Sequence, residues 1–171
     1  MKTYSDWLIE DTDLEGVTKI IPTTFTDHRG AYTEIYNKEF MEKNKISIEF
    51  LQDDISYSHN NVLRGLHGDN KTYKLVSCLY GEFQLIIANN NPNSKQYKKW
   101  QSFIISSKNR EQILIPPMFG NGHLVLSDFA IFHYKQNTQY DRSSQFTIKW
   151  NDPSYNFEWK SGNPILSDRD K

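Results

Sequence analysis

Hydrophobic and polar positions alternate over short stretches along most of this chain. Residues 146–150, Phe-Thr-Ile-Lys-Trp, place an apolar side chain at every second position, and residues 31–36 follow a similar pattern. A period of two predicts β-strands with one buried face. Residues 74–80 and 82–88 are more continuously apolar, as expected of strands covered on both faces.

Turn-forming clusters divide these stretches into many short strands at intervals of about 8 to 15 residues. Strands are predicted at residues 18–22, 31–36, 49–58, 62–67, 74–80, 82–88, 100–105, 112–115, 123–126, 130–135 and 146–150. Such a series favours a sandwich or a jelly roll. We therefore predict an all-β jelly-roll barrel in which residues 1–171 form a single domain.

One short helix is predicted at residues 38–44. Asn37 is placed to cap its N-terminus, and Glu39 lies in its first turn, where a negative charge is favourable. No glycine-rich phosphate loop lies between a strand and a helix, so the sequence does not predict a Rossmann or P-loop nucleotide site.

Charge and composition exclude several classes of function. The 20 basic and 21 acidic residues nearly balance, which gives no electrostatic reason to expect nucleic acid as a partner. Residues 1–7 lack the apolar core of a signal peptide, and no apolar run is long enough to span a membrane. Cys78 is the only cysteine and lies in an apolar strand pattern, which indicates a buried thiol. A cytoplasmic protein without membrane contact is expected.

Three different cationic side chains lie close together in residues 62–76. Arg64 and His67 are on one predicted strand and Lys74 begins the next. Residues three apart on a regular strand point to opposite faces, so Arg64 and His67 share a face only if Gly65 forms a bulge. Such a group suits an anionic ligand that has a proton to lose.

A metal site is not expected. Jelly-roll barrels often hold a metal on a His-x-His pair, because an ion needs several converging ligands. Here Asp69 occupies the place of the histidine that would pair with His67, and His123 is a distant alternative. We expect neither a metal nor another cofactor. His67 could instead be a base that the carboxylate of Asp170 orients, whereas the phenols of Tyr134 and Tyr140 could equally be ordinary packing residues.

Eight segments together resemble the nucleotide-sugar 3,5-epimerases. The type member of this family is the dTDP-4-dehydrorhamnose 3,5-epimerase. The resemblance extends from about residue 18 to residue 171, and Leu-Arg-Gly-Leu-His with the closing Leu-Ser-x-x-Asp is its most specific part. The matching segments are residues 25–34, 51–58, 62–67, 74–76, 115–117, 134–135, 150–153 and 166–170.

This resemblance implies a metal-free cupin jelly roll that forms a homodimer and epimerises a 4-keto sugar on a nucleoside diphosphate. By matching position, His67 resembles the base and Asp170 its partner, Lys74 the cation at the enolate oxygen, and Tyr134 the acid. The remaining substrate-binding positions that we expect are Arg29 and Arg64 at the diphosphate, Glu34, Gln52 and Asp54 near the nucleotide, and Asn121, His123 and Tyr140 around the ligand.

Three departures from the family pattern point to a different substrate. Gly-Asn-Gly-His at residues 120–123 replaces the usual Ala-His-Gly, Asp54 replaces an asparagine, and the loop at residues 68–73 is short. The altered motifs are similar to those of a branch that acts on GDP-4-keto-heptoses for capsular polysaccharide. We therefore expect a GDP-linked 4-keto-heptose, such as GDP-D-glycero-4-keto-D-lyxo-heptose or its 6-deoxy form, inverted at C3, C5 or both.

Three alternatives remain open. The first is the dTDP-4-dehydro-6-deoxyglucose 3,5-epimerase of rhamnose synthesis. The second is a 3,4-ketoisomerase of the cupin type, although the histidine pair typical of those enzymes near Arg-Gly is absent. The third is a cupin that binds sugar nucleotides without catalysis, which would have no need of a base such as His67.

Overall fold

Short antiparallel strands are the main regular structure of residues 7–171, which are the residues described by the computed structural model. The strands are β1 Leu8–Asp11, β2 Thr18–Ile21, β3 Thr24–Asp27, β4 Gly30–Thr33, β5 Gln52–His59, β6 Leu63–Gly68, β7 Lys74–Tyr80, β8 Glu82–Asn89, β9 Trp100–Ser106, β10 Gln112–Ile115, β11 Phe119–Val125, β12 Phe129–Gln136 and β13 Phe146–Thr147. One α-helix, α1 Lys38–Lys43, and a single 3₁₀ turn, Arg142–Ser144, complete the regular structure of this part of the chain.

Two sheets face each other across a common core. Strands β1-β2-β10-β7-β12-β5 form the first sheet and β13-β6-β11-β8-β9 the second, in these spatial orders, while β3 and β4 form a separate hairpin. Except for β1–β2 and β8–β9, neighbouring strands within each sheet are distant in sequence, as in a jelly roll. The all-β jelly roll expected from the alternating pattern is confirmed.

The largest apolar cluster lies between the two sheets. Phe83, Leu85 and Ile87 of β8 point inward at alternate positions and meet Val76 and Cys78 of β7. All five are buried, and burial of side chains of this size is the main favourable contribution to folding. The burial of Cys78, predicted from its apolar surroundings, is confirmed.

Helix α1 packs on the outer face of the first sheet, against Leu75 and Leu114. The Asn37 side chain accepts a hydrogen bond from the Phe40 amide, so the predicted N-cap is confirmed. Phe40 and Met41 are buried in a second cluster with Trp7, whose ring centroid lies 4.7 Å from that of Phe40. The helix is therefore fixed both by its cap and by its apolar face.

Strand β6 contains the irregularity that its sequence predicted. Against β11, Asn121 pairs with His67 and His123 pairs with Arg64, so three steps on β6 match two on β11. The extra residue lies at Gly65, whose φ of +112° is disfavoured for residues with a side chain. As a result Arg64 and His67 both line the same cavity between the sheets.

Several predicted strands have different limits in the structure: β4 ends at Thr33 and β5 begins at Gln52, whereas the predicted strands were residues 31–36 and 49–58. β11 begins at Phe119, whereas the sequence predicted a strand only from residue 123, because Gly-Asn-Gly is typical of a turn. The glycines instead permit close packing, since a Cβ on Gly120 would lie 3.0 Å from Ile148. β13 ends at Thr147, earlier than predicted, and neither β1 nor β3 was predicted.

No helix within residues 7–171 is both long enough and apolar enough to cross a membrane. The prediction that no signal peptide is present rests on residues 1–7. Of these, residues 1–6 lie outside the described residues.

Replacing Gly65 by alanine should destabilise the fold severely. The added Cβ would lie 2.6 Å from both the Asn121 carbonyl oxygen and the Gly122 Cα, in a backbone conformation that alanine disfavours. We expect the free energy of unfolding to fall by about 3 kcal/mol or more. Urea denaturation measures this. Gly162→Ala is the matched control, because nothing lies within 4 Å of a Cβ at that position; equal stability of the two variants would contradict the prediction.

Candidate active site

A cavity of about 270 Å³ opens between the two sheets. Strands β6 and β11 supply one wall, β5, β7 and β12 supply the other, and segments near the C-terminus close one side. The lining residues are Ser56, Arg64, His67, Lys74, Asn121, His123, Phe132, Tyr134, Tyr140, Gln145, Ser167, Arg169 and Asp170. The cavity thus contains many more polar and charged groups than the apolar core beside it.

His67 and Asp170 form a close pair in this cavity. The His67 Nε2 atom lies 2.8 Å from Asp170 Oδ1, and the Asp170 side chain is 4% exposed. Asp170 reaches this place because backbone hydrogen bonds tie Ile165 to Asn61 and to Leu63 at the start of β6. A carboxylate held against one ring nitrogen fixes the orientation of the imidazole and the position of its proton.

The Asp170 carboxylate is stabilised in its charged form. Burial by itself would raise the pKa of Asp170, but hydrogen bonds from His67 and Ser167 outweigh that effect and keep the pKa below its ordinary value. The Ser167 hydroxyl donates to Asp170 Oδ2 at 2.8 Å. Asp170 therefore remains negative at neutral pH and can support a positive charge on His67.

Lys74 is a buried cation on the wall opposite His67. It begins β7, and its ammonium donates a hydrogen bond of 3.2 Å to Asn121 Oδ1 on β11, which links the two walls. Burial is the main cause that lowers the pKa of Lys74, the charge of Asp69 opposes it, and the charge of Arg169 adds to it, so that the pKa is about 8. The ammonium is still the main form at pH 7, in a site where solvent screens it little.

Tyr134 also lies on the wall opposite His67, since it belongs to β12. Lys74 Nζ lies 5.7 Å from the centre of the Tyr134 ring. Burial raises the pKa of Tyr134 far above its ordinary value, and the negative charge of Asp54, its cross-strand neighbour on β5, raises it further. The phenol therefore keeps its proton over the whole physiological pH range and is available as a donor.

His123 is a second histidine of the cavity, but its environment differs from that of His67. Its ring stacks on Phe132 with centroids 4.1 Å apart and an interplanar angle of 7°. Complete burial lowers the pKa of His123 to about 3, and the nearby Arg64 lowers it too, against a smaller opposite effect of Asp170. Its buried Nε2 has no hydrogen-bond partner among the described residues, so His123 is a neutral polar group of the lining.

Two arginines contribute positive charge to the cavity. The Arg64 Nε donates to Ser58 Oγ at 2.9 Å, and Arg169 donates to Gln145 Oε1 at 3.0 Å and contacts the Tyr140 hydroxyl at 3.4 Å. Guanidinium groups bind phosphate oxygens well because their donors form a planar fork.

The structure brings together eight of the twelve residues selected from the sequence and leaves four outside the lining. The eight are His67, Lys74, Tyr134, Asp170, Arg64, Asn121, His123 and Tyr140. Of the others, Arg29 lies at the turn of the β3–β4 hairpin and pairs with Asp27 at 2.6 Å. Glu34 accepts from Asn37 at 3.1 Å, whereas Gln52 donates to Asp54 at 2.8 Å and accepts from the Tyr140 amide.

Sequence reasoning missed several residues of the site. Arg169 lies within the closing Leu-Ser-x-x-Asp motif, so that motif could have suggested it. Thr147 contacts the His67 ring at 3.1 Å, but no local pattern distinguishes it from other threonines of alternating strands. The other unpredicted lining residues are Ser56, Phe132, Gln145 and Ser167. Within residues 7–171, no three His, Cys, Asp or Glu side chains are arranged to hold a metal ion.

Comparisons with known proteins agree with this geometry. Residues 11–171 match the family model described as dTDP-4-dehydrorhamnose 3,5-epimerase. The chain is similar to the dTDP-4-dehydrorhamnose 3,5-epimerase of Shigella flexneri, with 39% identity over 93% of this chain and 90% of the relative.

Solved structures show the same fold. A Legionella pneumophila dTDP-6-deoxy-D-glucose-3,5-epimerase in complex with dTDP-4-keto-L-rhamnose superposes with a TM-score of 0.91 and 33% identity, over 96% of this chain and 89% of that one. A Bacillus anthracis dTDP-4-dehydrorhamnose 3,5-epimerase with TDP and pyrophosphate bound gives 0.92 and 31%, over 96% of each chain. The expected cupin jelly roll is thereby confirmed.

Replacing Lys74 by methionine should stabilise the folded protein. Because the pKa of Lys74 falls from 10.5 to about 8 on folding, the folded state binds this proton less well than the unfolded state. Methionine fills similar volume without a charge, so we expect the free energy of unfolding at pH 7 to rise by about 1 to 3 kcal/mol.

The pH dependence of this gain has a defined sign. The buried charge of Lys74 destabilises the natural protein fully below about pH 8. This destabilisation disappears as the pH rises toward 10.5, where Lys74 is uncharged in the unfolded state as well. The advantage of Lys74→Met over the natural protein, measured by urea denaturation, should therefore shrink across that range. A variant that is less stable at pH 7 would contradict the prediction. Lys43→Met, which removes an exposed ion pair with Glu39, is the control and should have a small effect.

Proposed function

Since this chain belongs to the dTDP-4-dehydrorhamnose 3,5-epimerase family, we propose that its substrate is dTDP-4-dehydro-6-deoxyglucose. The chain is an enzyme, an isomerase that epimerises a nucleotide-linked 4-keto sugar at C3, C5 or both. The relatives and solved structures above are named for dTDP sugars, and this supports dTDP over GDP as the nucleotide.

One observation supports the mechanism above all others: His67 and Tyr134 come from opposite walls of the cavity. Inversion at carbon requires removal of a proton from one face and return of a proton to the other. A base and an acid on facing sheets can address both faces of a sugar ring held between them. Because His67 and Tyr134 are on different sheets, the base does not take the proton that the acid must donate.

In the proposed first step, His67 removes the proton from the carbon beside the C4 ketone. The C–H bond breaks, its electron pair moves into the enolate, and the proton forms a bond to the imidazole. General-base catalysis of this kind is effective when the base titrates near the operating pH. The imidazolium that results is stabilised by the neighbouring Asp170 carboxylate, 2.8 Å away.

The Lys74 ammonium stabilises the negative oxygen of the enolate. Its hydrogen bond to Asn121 holds it in the cavity before any ligand arrives, and its burial makes the charge effective in a poorly screened site. Tyr134 then gives its proton to the carbon from the opposite face. The phenolate regains a proton from solvent, and the imidazolium of His67 loses its proton to solvent, so both groups return to their starting forms. The same cycle at the second carbon inverts C5 after C3.

The remaining selected residues are proposed to bind the nucleoside diphosphate and the sugar. Arg64 supplies positive charge for the diphosphate, and Arg169, although not selected from the sequence, is suited to the same purpose. Asn121, His123 and Tyr140 face the cavity as polar groups for the ligand. Glu34, Gln52 and Asp54 lie outside the lining, and we propose that they contact the nucleotide as it extends out of the cavity.

We also propose that a second copy of this chain is the protein partner. The β3–β4 hairpin forms its own small sheet, and at its turn the exposed side chain of Arg29, paired with Asp27, is accessible to a neighbouring subunit. The outer aromatic face, defined as Ile55, Tyr57, Tyr80 and Phe129, includes Ile55 and Tyr57 of the edge strand β5 and the stacked rings of Tyr80 and Phe129, whose centroids are 4.6 Å apart. Exposed apolar surface at a sheet edge is typical of an interface.

A GDP-linked 4-keto-heptose is the second candidate substrate, as part of capsular polysaccharide synthesis. The observation in its favour is that Asn121 and His123, two of the departures from the family pattern, both line the cavity. They add polar atoms to the cavity that could form hydrogen bonds with the additional hydroxyl groups of a heptose. One of these atoms is Nε2 of His123, which has no partner among the described residues.

Solvent deuterium exchange tests the mechanism. In D₂O the natural enzyme should place deuterium at C3 and C5 of dTDP-4-dehydro-6-deoxyglucose, as detected by NMR. His67→Asn should lower exchange about 10²- to 10⁴-fold, because the base is lost. Tyr134→Phe should retain exchange better than net inversion, because deprotonation does not use the phenol. His59→Asn, at an exposed histidine outside the cavity, is the control. Full exchange by His67→Asn would rule out its role as the base.

The same assay separates the two substrates. We expect kcat/KM for the dTDP-linked hexose to exceed that for the GDP-linked heptose by at least about tenfold, since one favourable contact of about 1.4 kcal/mol is enough for that ratio. If kcat/KM is higher for the GDP-linked heptose, then the heptose is the substrate and the dTDP-linked hexose is not.

Association of two chains can be tested at the outer aromatic face. Light scattering should give the mass of a dimer for the natural protein and of a monomer for Ile55→Lys, because a buried lysine without a partner is costly. Leu8→Lys is the matched control, since Leu8 is an exposed apolar residue on the other edge strand of the same sheet. Dimers of Ile55→Lys would exclude this face as the interface.

A further inference from the structure

Asn121 is a neighbour of both the candidate base and the buried ammonium. In the pairing of β11 with β6, Asn121 lies directly opposite His67, where side chains share a face of the sheet. From the facing wall, Lys74 donates a hydrogen bond of 3.2 Å to Asn121 Oδ1. Asn121 is 9% exposed and lines the cavity, so its polar atoms lie in the site and are shielded from bulk solvent.

The hydrogen bond from Lys74 fixes the orientation of the Asn121 amide. An ammonium has only donors, so the atom that faces it must be the amide oxygen and not the amide nitrogen. The two N–H donors of Nδ2 are not needed for this bond. Because Nδ2 and Oδ1 are bonded to the same carbon, these donors lie close to the Lys74 ammonium but point in a different direction.

Donors from the two walls therefore converge on one region of the cavity. Lys74 uses one of its three N–H groups for Asn121 and has two others for a ligand. An oxygen atom placed beside the ammonium can accept from Lys74 and from Asn121 Nδ2 together. Donors that are held in place in this way are typical of sites that stabilise a negative oxygen.

The charge of the cavity favours an uncharged group at this position. The lining already contains three cations, Arg64, Lys74 and Arg169. Another cation beside Lys74 would lower the pKa of Lys74, which is already about 8, and would reduce the fraction of ammonium at pH 7. The amide of Asn121 is neutral, so its nitrogen adds a donor without adding charge, and its oxygen favours the ammonium form of Lys74.

We propose that Asn121 is a catalytic residue: its Oδ1 holds the Lys74 ammonium, and its Nδ2 donates a hydrogen bond to the C4 oxygen of the sugar. This inference rests on the proposed enolate mechanism. When the proton leaves carbon, the C–H electron pair forms a carbon–carbon double bond and the carbonyl pair moves to the oxygen. The hydrogen bond from Nδ2 then strengthens, because its acceptor has become negative. The carbonyl forms again when a proton returns to carbon, and Asn121 loses no proton in either step.

The position of Asn121 suits this role. The carbon that loses its proton is bonded to the carbonyl carbon, so the base and the donors for the oxygen must be neighbours in the site. Asn121 and His67 are neighbours on one wall because β11 pairs with β6, and Lys74 reaches the same place from the other wall.

Two substitutions of Asn121 test the proposal. Asn121→Asp keeps the shape of the side chain and an oxygen for Lys74, but it replaces the N–H donors by a second acceptor. We expect kcat for dTDP-4-dehydro-6-deoxyglucose to fall about 10²-fold or more, with a much smaller change in KM, because the neutral ketone is a weaker acceptor than the enolate. Asn121→Leu should lose at least as much. Asn93→Asp, at an exposed asparagine outside the cavity, is the matched control and should keep the natural kcat.

Binding of dTDP alone provides a second measurement. This ligand has no sugar and therefore no C4 oxygen, so Asn121→Leu should bind it with a Kd within about twofold of the natural value by calorimetry. The same experiment shows that the variant is folded.

The outcomes separate this proposal from the function on which it rests. Natural kcat in Asn121→Asp would overturn the proposal, because Asn121 would then act only by holding Lys74, as an aspartate also does. A loss of dTDP binding by Asn121→Leu as large as its loss of kcat/KM would overturn it as well, since Asn121 would then contact the nucleotide. Absence of solvent deuterium exchange in the natural enzyme would instead overturn the proposed function, and with it any enolate for Asn121 to stabilise.

Discussion

The extra residue in β6 at Gly65 is the constraint on which the cavity depends. Without it, Arg64 and His67 would point to opposite faces of the second sheet, and one of them would lie outside the barrel. The backbone of β11 lies so close at this point that Gly122 is needed as well, since a Cβ there would be 3.0 Å from the Arg64 carbonyl oxygen. Local packing of backbone on backbone thus determines where the imidazole can act.

Charge is the second property that shapes the site. The lining of the cavity combines three cations, one carboxylate and a neutral buried histidine, so it carries an excess of positive charge. Such an arrangement costs stability in the absence of ligand, as the low pKa of Lys74 indicates. It also suits a nucleoside diphosphate whose sugar becomes negative during the reaction.

Much of the fold followed from the alternating pattern, because one buried face imposes a period of two on a strand. β7 was predicted at its observed limits, and the cap of α1 followed from the chemistry of Asn37. The start of β11 was missed because its glycines serve close packing instead of a turn. Which residues meet was harder to predict: the contact of Thr147 with His67 joins positions 80 apart in the sequence, and only the pairing of β13 with β6 creates it.

The buried ammonium links ligand binding to the uptake of protons. With a pKa of about 8, about half of the Lys74 side chains are uncharged at pH 8 before a ligand arrives. An anion beside Lys74 favours the charged form, so binding near this pH draws a proton from the solution. The heat measured in a binding experiment then includes the ionisation enthalpy of the buffer, and the affinity varies with pH even where the charge of the ligand does not.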